Sequence, residues 1–410
     1  MHHQWLGIAC LVAMMIGMVT SAEALISIAF IALVANAVLN WRLPALWRGF
    51  LRHPALLGIT GIFAVYALSG LYSEDTAYFF RRLRSSLPLF LLPFAISALP
   101  RFGRRVYYSL LYFFFWLLLL TCTLVALNYA ADYDAINQLY KKGQVMPTPM
   151  RHIRFSLTVA LAVAVGFYLA GRRFYWRWPA ERYALIGGSL LLTLFLHILA
   201  VRSGLLALYL MAGYAFLRFI LIKGYWVGGL LGLVLGAAAL YLAIEQLPTL
   251  QNKLNYTHYT LHQFLKGGAI EELSDSQRIG SIQAGIEMAR QHPWLGVGLG
   301  DVRQEAEAYY RSHFPGLAGR QLLPHNQYVF VLAATGIPGL LYFIGATLYP
   351  LLYRRGYRDG LWSAFHLMIF ASFMVEHTLE TQFGLTLYLL FLLMGIRYLD
   401  EPAPAKEGPQ

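Results

Sequence analysis

Long apolar runs constrain this chain more than any other feature. A helix needs about 20 predominantly apolar residues to cross the hydrocarbon core of a bilayer, where its backbone polar groups must be satisfied within the segment. Twelve runs approach that length: 5–20, 24–40, 54–72, 86–99, 106–127, 153–170, 183–201, 203–221, 225–245, 324–349, 361–376 and 381–399. Composition agrees. Of 410 residues, 58% are hydrophobic and 13% charged, and mean hydropathy is +0.54, whereas about a quarter of a soluble domain is charged. The expected fold is an all-α polytopic membrane protein of about 12 transmembrane helices. Spans one to nine occupy 1–245, a large loop with amphipathic helices 246–323, three further spans 324–399 and a short tail 400–410.

Details within the runs sharpen the expectation. Pro88 and Pro93 should kink the fourth span, and the close spacing of the seventh and eighth calls for a tight turn at 201–204. Ala22-Glu23-Ala24 resembles a signal-peptidase site, but Met1-His2-His3-Gln4 lacks a basic residue and a second apolar run follows at once. The first run therefore reads as a retained span. Cys10 and Cys122 both fall in apolar runs, so no disulfide or metal-type spacing exists.

The formal charge of +12 has to be divided before it means anything, because Lys and Arg in short loops report orientation. With the N-terminus in the cytoplasm, about half of the basic residues fall on the tail and in short even-numbered loops, such as Arg42/Arg48/Arg52, Arg172/Arg173/Arg177/Arg182 and Arg354/Arg355/Arg358. Both termini are then cytoplasmic. Orientation does not explain Arg81, Arg82, Arg84, Lys141, Lys142, Arg151, Arg154 and Arg202, which lie at the outer side. Any one of them is ordinary solvated charge or a lipid-headgroup contact. Arg81-Arg82-x-Arg84, within about one helical turn, gathers like charges at a cost that an anion would offset. The guanidinium fork suits phosphate oxygens. The implied partner is a phosphate-bearing lipid or headgroup; nucleic acid is excluded by the location.

In the large loop, "SDSQRIGSIQAGIEMARQHPWLGVGLGD" predicts an amphipathic helix stopped by Pro293. Ser274 and Gln277 fit a capping box, and Ile279, Ile282, Ile286 and Ala289 repeat on one expected packing face. Gly296-x-Gly298-x-Gly300 lacks the strand–turn–helix context of a nucleotide loop and predicts a tight turn against the membrane. A second helix should run from about Val302 to Ser312, and the whole region should lie on the bundle as a lid. At its end stands "LLPHNQYVF": Pro324 fits the first turn of the next helix, which would hold His325 at the water–lipid boundary. Alone, such a histidine is more often a cap or an interfacial residue than a catalyst.

"VRSGLLALYL", "SQRIGSIQAGIEMARQHPWLGVGLGD" and "HNQYVFVLAATGIPGLLYF", in this order and spacing, resemble the O-antigen ligase and polymerase superfamily of bacterial envelope glycosyltransferases. The resemblance covers about residues 202–343; length and the single large loop look most like the ligases. It implies a GT-C-like glycosyltransferase fold with a periplasmic active site in the inner membrane. The implied donor is a glycan on undecaprenyl diphosphate and the implied acceptor is lipid A–core, with no cofactor and no metal. The family's histidine falls on His325 as base, and its arginines on Arg202 and Arg278. These would bind the diphosphate, joined by Arg81, Arg82, Arg84 and Arg154, and displacement would invert the anomeric centre. An O-antigen polymerase or a protein O-oligosaccharyltransferase would share the donor. A transporter or flippase would instead need midplane charges and related halves, which the sequence does not display. Asp132/Asp134 and Glu74/Asp75 are the acid pairs that could hold a metal, and Glu376, His377 and Glu380 at the last outer turn could line the same cavity. Tyr328 reads as interfacial packing.

Overall fold

A computed structural model describes residues 2–265 and 274–401, and every regular element among them is helical. The first helices are α1 (His2–Val19), α2 (Glu23–Val38), α3 (Leu43–Leu51), α4 (Pro54–Leu68), α5 (Thr76–Ser86) and α6 (Pro88–Ser97). There follow α7 (Arg104–Ala131), α8 (Tyr133–Lys141), α9 (His152–Gly171), α10 (Glu181–Leu199), α11 (Arg202–Lys223) and α12 (Trp226–Gln246). The large loop holds α13 (Pro248–Leu265), α14 (Ser274–Gln291) and α15 (Val302–His313). The bundle is completed by α16 (Gln327–Leu352), α17 (Gly360–Val375) and α18 (Gln382–Leu399).

Among the described residues, 7 helices are long and apolar enough to cross a membrane, or 8 if α2 and α3, bent by 106°, make one span. The helices α1 and α17, and part of α12, are apolar but shorter. The kink expected in the fourth span takes a stronger form: Pro88 opens α6 at its N-terminus and Pro93 lies inside it, leaving 10 residues. The tail 402–410 and the loop segment 266–273, with Glu271 and Glu272, lie outside the described residues.

Lipid tails are as apolar as leucine, so helices in a membrane associate through close packing and buried polar contacts. Helix α9 sits at the centre, with Phe155, Val159, Ala160 and Leu169 fully buried. Small residues let its neighbours approach: a Cβ on Gly166 would lie 2.2 Å from Ser189 Oγ, and one on Gly204 of α11 would lie 2.3 Å from Ser156 Cβ. Helix α1 is embedded through its C-terminal half, at Met14, Met15, Met18 and Val19, and ties to α2 where His3 Nδ1 meets Asn36 Oδ1 at 2.8 Å.

The polar contacts sort the turns into two groups at opposite ends. At one end Asp400 receives Tyr353 Oη at 2.8 Å, His53 Nε2 at 3.1 Å and Arg397 Nη1 at 3.1 Å. There too Arg172 Nη2 reaches Asp359 Oδ2 at 3.0 Å. These are the turns that carry the short-loop arginines. At the other end the large loop covers the bundle.

Candidate active site at the loop-covered end

The helices α9, α11, α14 and α16 all begin at the covered end, and each brings a basic or titratable side chain at or near its start. Arg151 precedes α9, and His152 and Arg154 stand in its first turn. Ala200 takes the left-handed conformation (φ 50°) to end α10, and Arg202 opens α11 two residues later. That is the tight turn expected at 201–204. Arg278 follows the start of α14; the capping contact expected of Ser274 lies outside the described residues.

His325 differs in detail from expectation. The helix begins at Gln327, because Asn326 wins the cap: its side chain accepts from Val329 N at 3.1 Å and donates to the Met374 carbonyl at 3.0 Å. Pro324 and His325 therefore stand just before the helix. They are held from α14, where His325 N donates to Ser281 Oγ at 3.1 Å and His325 Nδ1 lies 3.0 Å from the same oxygen. A Cβ on Gly285 would come within 2.9 Å of Pro324 Cγ, so α14 can lie this close only by presenting small residues.

The packing face of α14 is accordingly displaced from the one predicted, keeping Ala289 buried and Ile282 half-buried. Gly280, Ser281, Ala284, Gly285, Met288 and Ala289 are buried, whereas Ile279 and Ile286 are 36% and 44% exposed. Close approach to α16 selects the small side chains and turns the isoleucines outward. The glycine turn behind α14 has a more specific partner than the membrane. Pro338 has no N–H, and Gly336 (φ 68°) breaks α16, freeing the carbonyls of Ala333 and Ala334. Val297 N and Gly298 N donate to them at 2.8 and 3.1 Å, and Ile337 N donates to the Pro293 carbonyl at 2.8 Å.

These elements enclose a cavity of about 300 Å³ lined by Arg151, His152, Arg154, Arg202, Lys253, Arg278, His325, Glu376 and His377, among others. Among the described residues its one acid is Glu376, which is buried, 3.3 Å from Arg278 Nη2 and 4.0 Å from Arg154 Nη2. Helix N-termini carry partial positive charge, so dipoles and guanidinium groups act on the cavity with the same sign. Arg154 Nε, Ser203 Oγ and His377 Nδ1 are buried here without a hydrogen-bond partner among the described residues, a costly state that a polar ligand would relieve. Burial and the nearby Arg278 and Arg154 lower the His325 pKa, more than Glu376 and the Leu323 carbonyl raise it. The imidazole is therefore neutral at neutral pH. Burial, His325 and the arginines push His377 down to about 3.

Arg202, Arg278, Arg154 and His325 of the expected set thus meet in one cavity, whereas Arg81, Arg82 and Arg84 do not line it. Arg82 is paired with the Glu380 carboxylate, which also receives Tyr66 Oη at 2.9 Å and Gln327 Nε2 at 3.1 Å. Arg81 and Arg84 are exposed on α5. Arg151, His152 and Lys253 were not singled out for this cavity by sequence; in a basic loop nothing distinguishes them from solvated charge. Glu376 and His377 line the cavity, as their place at the last outer turn allows, whereas Glu380, named with them, pairs with Arg82 instead.

His325, Glu376 and His377 could offer metal-ligand atoms within 4.8 Å of one another. The carboxylate is already shared by two guanidinium groups, and Arg151 and Lys253 also line the cavity, so the local field opposes a divalent cation. Of the acids considered for metal from sequence, Asp132 and Asp134 are exposed. Asp75 caps α5 by accepting from Tyr78 N at 2.8 Å. Glu74 offers its backbone N–H to Asp301 Oδ2 at 2.8 Å.

Residues 187–344 match the family model described as O-antigen ligase, in agreement with the resemblance carried by the three quoted motifs. The segment contains Arg202, Arg278 and His325, while Arg154, Glu376 and His377 reach the cavity from outside it. Comparison with curated proteins gives no match.

Proposed function

From the O-antigen ligase match of residues 187–344, we propose that this chain is a glycosyltransferase that moves a glycan from undecaprenyl diphosphate to lipid A–core. The reaction takes place at the periplasmic face of the bacterial inner membrane. One observation carries the reading: the matched arginines and histidine converge, with Arg154, on a single cavity at the start of four helices. In the proposed reaction neutral His325 takes the proton of the acceptor hydroxyl. The oxygen attacks the anomeric carbon, the bond to the diphosphate oxygen breaks, and the configuration inverts. Arg202, Arg278 and Arg154 hold the departing undecaprenyl diphosphate as its charge grows, electrostatic work that fixed donors perform without a metal. Arg82 serves by bracing Glu380 beneath α16, and the exposed Arg81 and Arg84 meet the phosphate-rich headgroup layer. The same proposal takes α1, α6, α12 and α17 as short crossings, giving twelve traverses with both termini cytoplasmic and a GT-C-like bundle.

The test is transfer in vitro from a purified lipid-diphosphate glycan onto lipid A–core, without ATP or added metal. Wild type should produce the conjugate and His325→Ala should not. In cells lacking the native gene, His325→Ala should leave core lipid with no O-antigen at all. A single repeat on core would identify a polymerase instead, and full ligation by His325→Ala would end the histidine mechanism.

A further inference from the structure

Ser281 is completely buried in α14, and its hydroxyl oxygen has three partners. The Arg278 carbonyl lies at 2.8 Å, the His325 backbone nitrogen at 3.1 Å and His325 Nδ1 at 3.0 Å. A hydroxyl carries one hydrogen and two acceptor lone pairs. The carbonyl can only accept, so the single hydrogen points to Arg278. The backbone N–H can only donate, so it takes one lone pair. What remains is the second lone pair, and Nδ1 can bond to it only by carrying a proton.

We infer that Ser281 is a positioning residue that fixes His325 in the tautomer protonated at Nδ1, leaving the lone pair on Nε2 as the basic site. The inference rests on His325 being the base, but it adds which nitrogen acts and what selects it. The arrangement resembles in logic, and not in residues, the buried acceptor that orients the imidazole of a hydrolase triad, where loss of the correct tautomer greatly slows the reaction. It also has a local explanation. Ser281 is three residues after Arg278, so one turn of α14 places a guanidinium at the cavity while the next locks the ring. The backbone contact to His325 N prevents the loop from sliding, so the ring cannot keep its place and change its proton.

The test compares purified Ser281→Ala, Ser281→Thr and His325→Ala with wild type, using a lipid-diphosphate glycan and lipid A–core. Per folded enzyme, measured as the monodisperse fraction in detergent, Ser281→Ala should lose about 10- to 100-fold in kcat while its KM for the donor stays within about twofold; a distorted cavity would raise KM, and a mere loss of folded enzyme would vanish on this normalisation. Ser281→Thr, which keeps the hydroxyl, should recover most of the loss. If Ser281→Ala turns over like wild type while His325→Ala is inert, the positioning role is wrong and the base assignment stands. If His325→Ala is active, the base assignment fails. Nitrogen-15 NMR of histidine-labelled protein, with the His325 signals identified by their absence in His325→Ala, reads the tautomer independently of catalysis. Wild type at neutral pH should show a protonated Nδ1 and an unprotonated Nε2; the reverse would overturn the inference whatever the kinetics.

Discussion

An arginine in the first turn of a helix is opposed by the helix dipole, yet Arg154, Arg202 and Arg278 all stand near helix starts at one cavity. Local rules broken together at one place mark a functional site, and an anion with several oxygens resolves the conflict. Arg202→Lys and Arg278→Lys keep the charge but lose the paired donors, so each should cost about 10- to 100-fold in kcat/KM for a diphosphate-linked donor. Transfer at the wild-type rate would exclude bidentate phosphate contact at that position. The sign of the pH dependence is also fixed. His325 is held below its ordinary 6.5, so the rate should rise with pH through a value under 6.5 and stay level at neutrality. Glu376→Gln removes a charge that favours the imidazolium, so this limb should move to lower pH. Arg278→Ala removes a charge that opposes it, so the limb should move up. Shifts in the same direction in both variants would show that another group titrates. Sequence named the residues whose motifs are contiguous, Arg202, Arg278 and His325, through family resemblance. It could not rank Glu376 and His377, because their part depends on the α17 end folding back beside α14.

At the scale of elements, the break in α16 decides how the loop-covered end is held. Pro338 announces the break, but its use depends on a loop forty residues earlier whose N–H groups take the freed carbonyls. Gly336 is required there twice over: its φ is +68°, and a Cβ would sit 2.2 Å from the Trp294 carbonyl. Gly336→Ala should therefore cost roughly 1–3 kcal/mol, read as a lower melting temperature in detergent, and should slow transfer because the loop paired with this break continues from α14, which holds His325. A variant as stable as wild type would mean that the loop yields easily and does not brace the site. Helix periodicity made α14 and α15 legible, with Pro293 as the stop. The packing face of α14 was only partly legible, because it is set by how closely α16 and Pro324 approach, which the sequence of α14 does not show. Here the need for close contact puts Gly280, Ala284 and Gly285 inward and leaves Ile279 and Ile286 at the surface.

Across the whole molecule, the arrangement of charge is simpler than the count of helices. Among the described residues seven helices, or eight with the bent pair, satisfy length and composition, while apolar runs in the sequence number twelve, because runs such as 86–99 contain too little continuous helix to qualify. Alternation of the turns between two ends is nonetheless consistent: the His53–Asp400 and Arg172–Asp359 pairs lie at one end, and Arg154, Arg202 and His325 line the cavity at the other. Single cysteines can test which end faces which side. The two native cysteines are buried and should give little background with a membrane-impermeant maleimide. Arg48→Cys and Arg105→Cys place a thiol at the arginine-rich end, and Lys142→Cys and Arg320→Cys at the covered end; all four native side chains are exposed. If the positive-inside reading holds, intact spheroplasts should label positions 142 and 320, and positions 48 and 105 only after lysis. The opposite pattern would turn the cavity toward the cytoplasm and remove the periplasmic glycan transfer with it. Labelling of 48 without 105, or of 142 without 320, would mean that the chain does not alternate as the twelve traverses require. In that case one of the short helices, α6 first because it has only 10 residues, would be the one that fails to cross.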